Sequence, residues 1–189
     1  MNSIICIGDS LTYGYGVNPR FLWVNLLRDE FENINFINEG KNGDTTIGML
    51  NRFTEAVVYK NASKVIIFGG TNNFLTNKTV EGTIKNIKLM IKEAMENNIE
   101  PIIIAPPKIK PQLAINLWDS YCDYDKVNQL INEYAEKLQE FCNKENITFI
   151  NLNKTFDNIK ENKFLYTDGI HLTKEGNEEV FKEVYKCLL

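Results

Sequence analysis

Apolar residues along this chain fall into two alternating rhythms. Short runs without a polar interruption stand at Ser3–Ile7, Lys64–Phe68 and Pro101–Ala105, the last reading Pro-Ile-Ile-Ile-Ala. Each is rich in β-branched residues and ends at Gly or Pro, which predicts strands buried on both faces. Shorter strands are predicted at Asn35–Asn38 and Thr148–Asn151. Between them, apolar residues recur at three- and four-residue spacing over Phe21–Phe31, Ile47–Val58, Val80–Asn97, Tyr124–Asn143 and Thr173–Cys187. That spacing predicts amphipathic helices. Pro106–Asp123, opened by two prolines, reads as a long irregular loop after a strand. Strands alternating with helices of this length imply crossover connections and a mainly parallel sheet covered on both faces. In such sheets ligands bind outside the carboxyl ends of the strands, so the loops there are where chemistry is expected.

Those loops are Gly8-Asp9-Ser10-Leu11-Thr12-Tyr13-Gly14, Asn38-Glu39-Gly40-Lys41-Asn42-Gly43-Asp44-Thr45 and Gly69-Gly70-Thr71-Asn72-Asn73. To them is added Asp168-Gly169-Ile170-His171-Leu172, ahead of the final helix. His171 is the only histidine, so an imidazole proton shuttle must use it. Asp168, three residues earlier, is placed to hold one ring nitrogen. Ser10 follows a buried strand, where a serine serves either as a helix N-cap or as a nucleophile activated by a base. Gly43 and Asn72 offer a backbone and a side-chain N–H of the kind that stabilises a developing oxyanion, with the N–H of Ser10 as a third. Taken singly, each of these residues is an ordinary turn residue. Together on one rim they are hard to account for as unrelated turns.

The four loops resemble the sequence blocks of the SGNH hydrolases, the GDSL esterase/lipase family. Gly8-Asp9-Ser10-Leu11 is similar to the first block, Asn38-x-Gly40-x-x-Gly43-x-Thr45 to the second, Gly70-Thr71-Asn72 to the third and Asp168-Gly169-Ile170-His171-Leu172 to the last. The third block commonly continues with Asp, where this chain has Asn73. The resemblance implies a three-layer α/β/α sandwich with a flavodoxin-like, mainly parallel five-stranded sheet in the order 2-1-3-4-5. It also implies a catalytic set of Ser10, Asp168 and His171, and an oxyanion hole of Ser10, Gly43 and Asn72. Candidate substrates are short-chain, aryl or thio-esters, lysophospholipids and O-acetylated sugars. Asp9, Tyr13, Asn73, Phe74, Trp118 and Ile170 are the expected substrate contacts, and Tyr15, Tyr121 and Tyr124 add aromatic surface near the same loops.

Composition narrows the alternatives. The 189 residues are expected to form a single domain spanning 1–189, and 43% hydrophobic with 24% charged residues is ordinary for a globular chain. A net charge of −4 disfavours nucleic acid as a partner. No apolar run approaches the length of a membrane span, and the few residues before Gly8 are too short for a secretory leader, so a cytoplasmic location is expected. The scattered Cys6, Cys122, Cys142 and Cys187 read as free thiols. Position 12 is Thr, so the Gly-x-Ser-x-Gly elbow is absent, and neither a dinucleotide fingerprint nor a phosphate loop is complete. One histidine without a clustered second ligand motif makes a metal hydrolase a poor fit, and no metal or organic cofactor is expected. The function expected is a serine esterase or acylhydrolase that forms an acyl-enzyme on Ser10 from a small or lipid-like ester. The alternatives are an O-acetyl carbohydrate deacetylase of the same mechanism and a non-catalytic flavodoxin-like binding module.

Overall fold

A computed structural model of the chain describes residues 2–189. β1 (Asn2–Gly8) runs into one turn of helix, α1 (Ser10–Tyr13), and α2 (Trp23–Glu30) leads to β2 (Ile34–Gly40). Two short helices, α3 (Thr46–Asn51) and α4 (Phe53–Ala56), precede β3 (Lys64–Phe68). Then come α5 (Thr71–Leu75), α6 (Val80–Glu96), β4 (Glu100–Ala105), α7 (Pro111–Leu117) and α8 (Tyr124–Glu145). β5 (Thr148–Asn151), α9 (Leu152–Asp157) and α10 (Lys174–Leu188) complete the order.

The five strands form one sheet in the order β2-β1-β3-β4-β5, with every neighbouring pair parallel. This is the three-layer α/β arrangement expected from the sequence. The strands read as continuous apolar runs because each side of the sheet meets its own core. Ile5, Ile7, Val65, Ile67 and Ile103 face a core completed by Ile87 and Met90 of α6 and Ile131 and Leu138 of α8. Ile4, Cys6, Ile66, Phe68, Ile102 and Ile104 face the opposite core, with Trp23 and Leu27 of α2 and Val180 and Val184 of α10. Pairing aligns Gly8 with Gly40 on one side and with Phe68 on the other, so the first three strands end level. The loops that follow them therefore share one rim.

Helix starts follow capping chemistry. Thr79 accepts from Gly82 N at 3.1 Å to open α6, Asp123 accepts from Lys126 N at 3.0 Å to open α8, and Thr173 accepts from Gly176 N at 3.2 Å to open α10.

Two expectations need correction. Ile47–Val58 is not one helix: it breaks at Arg52, whose backbone (φ −108°, ψ 5°) leaves the helical range as its side chain turns toward the sheet. Pro106–Asp123 is not wholly irregular, because Pro111 occupies the first turn of α7, where its missing N–H is no loss. Among the described residues no helix is long and apolar enough to cross a membrane.

Candidate active site

Ser10 is the first residue of α1, but the cap of that helix is Asp9. Its Oδ1 accepts from Leu11 N at 2.9 Å. The capping role that a serine could have taken is thus filled, and the Ser10 hydroxyl is left to face His171, with Nε2 3.1 Å from Oγ. The other ring nitrogen, Nδ1, lies 2.7 Å from Asp168 Oδ2. The second oxygen, Asp168 Oδ1, accepts from the backbone N–H groups of His171 (2.8 Å) and Ile170 (2.9 Å). Burial pushes the Asp168 carboxyl up, but the side-chain hydrogen bond to His171, these two N–H groups and the His171 charge outweigh it and hold the carboxyl below the usual range. An ionised carboxylate only accepts, so Nδ1 carries the proton and Nε2 turns its lone pair toward the Ser10 hydroxyl.

The segment carrying Asp168 and His171 is tied down along its length. Thr167 N donates to the His171 carbonyl at 2.9 Å, and Lys110 N donates to the Gly169 carbonyl at 2.8 Å. Gly169 has φ +94°, and a Cβ there would stand 2.6 Å from both Ala114 N and Lys110 O. Left-handed backbone and contact with α7 together require glycine.

On the other side of Ser10, Asn38 supports α1. Its Nδ2 donates to Thr12 O at 2.8 Å and its Oδ1 accepts from Gly40 N at 2.8 Å. Trp23 Nε1 donates to Leu11 O at 3.1 Å. Gly43 has φ +72°, and no heavy atom lies within 4 Å of where a Cβ would be, so its backbone is open on that side. Asn72 Nδ2 donates to the carbonyl of the next residue, Asp44, at 2.9 Å. The Gly43 and Asn72 loops are therefore in direct contact, and one amide hydrogen of Asn72 remains for another acceptor.

Asn73 is 3% exposed and joins the same two loops. Its Oδ1 accepts from Thr46 N at 2.9 Å and its Nδ2 donates to Thr46 Oγ1 at 3.0 Å. The amide thus braces one loop against the other. Asp9 is 1% exposed, and burial pushes its carboxyl up to about 7 against the pull of the Leu11 N–H and His171. Ile170 is buried in the core that α6 and α8 share with the sheet, and Tyr124 is buried with its hydroxyl donating to Ala114 O at 3.5 Å.

The aromatic residues at the mouth divide in two. Tyr15 (45% exposed) and Trp118 (50% exposed) hold their ring centroids 4.4 and 5.0 Å from that of His171, and with this cover the imidazole is only 4% exposed. Tyr13 and Tyr121 extend into solvent. Beyond Trp118 lies a cavity of about 440 Å³ bounded by Phe74, Leu75, Asn77, Asp119, Tyr121 and Asp123, among others. Phe74 meets it with little surface, because its ring packs edge-on against Tyr134 at 5.5 Å.

Sequence reading missed three residues here. Tyr134, on α8, donates to the Gly69 carbonyl at 3.2 Å and steadies the turn before Asn72. Thr46 receives the Asn73 brace, and Arg52 Nε lies 2.8 Å from Asp44 Oδ2. Only helical spacing marked Tyr134, and nothing local marked the other two.

Comparison with known proteins places the chain among ester hydrolases. Over 97% of its length the chain is 23% identical to the isoamyl acetate-hydrolyzing esterase of Saccharomyces cerevisiae, covering 84% of that protein. The crystal structure of the lipase/acylhydrolase from Enterococcus faecalis superposes with a TM-score of 0.82 at 26% identity, covering 100% of this chain and 95% of that one. An acetyl xylan esterase superposes with a TM-score of 0.81 at 21% identity, covering 99% and 100%. The sequence model of the GDSL-like lipase/acylhydrolase family matches residues 6–179, and the chain belongs to that family as a carboxylic ester hydrolase.

Proposed function

We propose that the chain is a serine esterase that forms an acyl-enzyme on Ser10. The observation that carries this reading is the line from Ser10 Oγ to His171 Nε2 (3.1 Å) and from His171 Nδ1 to Asp168 Oδ2 (2.7 Å). Serine is a weak nucleophile until a base takes its proton as it attacks. Here the Ser10 oxygen attacks the ester carbonyl while its proton passes to His171 Nε2, and Asp168 stabilises the imidazolium. The negative charge on the carbonyl oxygen is received by the backbone N–H groups of Ser10 and Gly43 and by the free amide hydrogen of Asn72. His171 returns the proton to the leaving alcohol. A water deprotonated by the same nitrogen then releases the acid and restores Ser10. None of these steps calls on a metal or organic cofactor.

The substrate is a small or lipid-like ester, with the 440 Å³ cavity beside Trp118 as the space for its larger group. A second reading, an O-acetylated carbohydrate, is favoured by the polar part of that boundary: Asn77, Asp119 and Asp123 stand with Trp118, an aromatic face and hydrogen-bonding groups suited to a sugar ring. The test is hydrolysis of 4-nitrophenyl esters from acetate to laurate by the parent and Ser10→Ala, with an acetylated oligosaccharide alongside. Loss of every activity in Ser10→Ala supports the reading, and the chain-length profile with the sugar rate decides between the substrates. Activity retained by Ser10→Ala would overturn it.

A further inference from the structure

Three loops bring the proposed oxyanion donors to the rim, and one side chain from outside all three is bonded to two of them. Arg52, at the break between α3 and α4, donates from Nη2 to the carbonyl of Gly8 at 3.1 Å. Gly8 ends β1, two residues before Ser10. The same guanidinium donates from Nε to Asp44 Oδ2 at 2.8 Å, and Asp44 directly follows Gly43. The Asp44 carbonyl is in turn the acceptor for Asn72 Nδ2 at 2.9 Å. Every proposed donor is thus at most two residues, or one hydrogen bond, from a group held by Arg52.

Other features reserve this place for a planar, forked cation. Asp44 Oδ1 is engaged by Thr45 N at 3.0 Å, so the carboxylate is fixed at both oxygens. A Cβ at Gly48 would stand 1.9 Å from Asp44 Oδ1, so the glycine keeps space for that carboxylate. Glu39 Oε2 lies 3.8 Å from Arg52 Nη1 while Glu39 Oε1 pairs with Lys60, so the carboxylate holds the guanidinium from its outer side. The Gly8 carbonyl takes a second hydrogen bond from Lys41 N at 3.0 Å. A lysine ammonium at the end of a flexible stem cannot present two donors in this fixed plane.

We infer that Arg52 is a positioning residue that sets the spacing of the oxyanion hole by clamping the end of β1 to the Gly43–Asp44 loop. The inference rests on the acyl-enzyme reading of Ser10. It separates two effects that stability alone would merge. Donors displaced by a fraction of an ångström lose contact with the transition-state oxyanion more than with the ground-state ester, so kcat falls while KM changes little.

The experiment compares parent, Arg52→Lys, Arg52→Met, Asp44→Asn and the double variant Arg52→Met/Asp44→Asn on 4-nitrophenyl acetate, with rates per folded protein and melting temperatures recorded. Asp44→Asn keeps the backbone carbonyl but has one acceptor oxygen in place of two, so with Thr45 N still bound it removes both the charge and the acceptor that Arg52 meets. Expected is a fall in kcat of about 10- to 100-fold for Arg52→Met, the scale of a small misplacement in an active site. Arg52→Lys is expected to fall with it despite its retained charge. The double variant should lose little more than Arg52→Met alone, because both changes break one link. A kcat for Arg52→Met within a factor of about two of the parent, with only the melting temperature lowered, would overturn the inference, and so would losses that multiply in the double variant. If Arg52→Met does not fold, Arg52→Lys and Asp44→Asn carry the same comparison. Ser10→Ala is the control: a parental rate in that variant removes the acyl-enzyme reading and this inference together, whereas a Ser10-dependent rate indifferent to Arg52 removes this inference alone.

Discussion

The brace made by Asn73 gives a prediction whose size can be worked from its contacts. Asn73→Ala removes two hydrogen bonds to Thr46, a residue with no exposed surface. The consequences for the two Thr46 atoms differ. Thr46 Oγ1 keeps the donor Asn86 Nδ2 at 3.0 Å, so only the net value of one hydrogen bond is lost there, about 0.5–1.5 kcal/mol. The Thr46 N–H is left buried and unpaired, a penalty of about 1–3 kcal/mol. Together they come to about 1.5–4.5 kcal/mol, which at about 2–4 °C per kcal/mol for a domain of this size lowers the melting temperature on the order of 10 °C. Because Thr46 opens α3 just after Asp44 and Asn73 adjoins Asn72, kcat on 4-nitrophenyl acetate should fall at least about tenfold in the same variant. Asn73→Asp is the informative partner. It keeps the acceptor for Thr46 N, and its second oxygen meets the Thr46 hydroxyl, which turns to donate while still accepting from Asn86. It should lose less than half of what Asn73→Ala loses in both assays. Thermal unfolding and initial rates on the two variants check this. An Asn73→Ala protein within about 1 kcal/mol of the parent, or an Asn73→Asp protein as damaged as Asn73→Ala, would refute the brace.

Three further outcomes follow from the site. Asn72→Ala should lower kcat by about 10²–10³, the loss typical of one oxyanion donor, while the missing bond to Asp44 O reduces stability by only about 1 kcal/mol; steady-state rates beside thermal unfolding show whether the two effects part in this way. Asp9 has its carboxyl raised from 3.8 to about 7 by burial, so the folded state binds its proton more tightly than the unfolded chain and loses stability as pH rises from about 4 through 7. Asp9→Asn retains an acceptor for Leu11 N, so its melting temperature relative to the parent should climb between pH 4 and 8 and then level, and a constant offset across that range would contradict the assignment. Gly169→Ala forces a side chain onto a φ of +94° with backbone atoms 2.6 Å away, so the Asp168–His171 segment should shift and esterase activity collapse at a melting temperature that still reports a folded protein.

Much of the fold is written in the chain because its strands are buried on both sides. The runs Lys64–Phe68 and Thr148–Asn151 have the expected bounds, each closed by residues that leave the sheet. The exceptions have local causes. α5 and α9 are five and six residues long, too short for a helical period to register. α7 hid among prolines, one of which suits its first turn. The break at Arg52 is tertiary in origin, for its guanidinium is drawn to Gly8 and Asp44 and no Gly or Pro marks the spot. The site was legible where chemistry limits the residue type: a sole histidine, an aspartate three residues before it, a serine after a buried strand. Its supports were not. Thr46, Arg52 and Tyr134 act through the backbone of distant loops, and neither threonine, arginine nor tyrosine at those positions is a local signal.

The most direct test of the account is to quench the parent enzyme during turnover of 4-nitrophenyl acetate and map the acetyl group by peptide mass. The account predicts an acetyl adduct on Ser10 alone, which builds up within the first turnover, decays as substrate is exhausted and is absent from Ser10→Ala. Turnover at the parental rate with no adduct, or with the acetyl group on another residue, would contradict it.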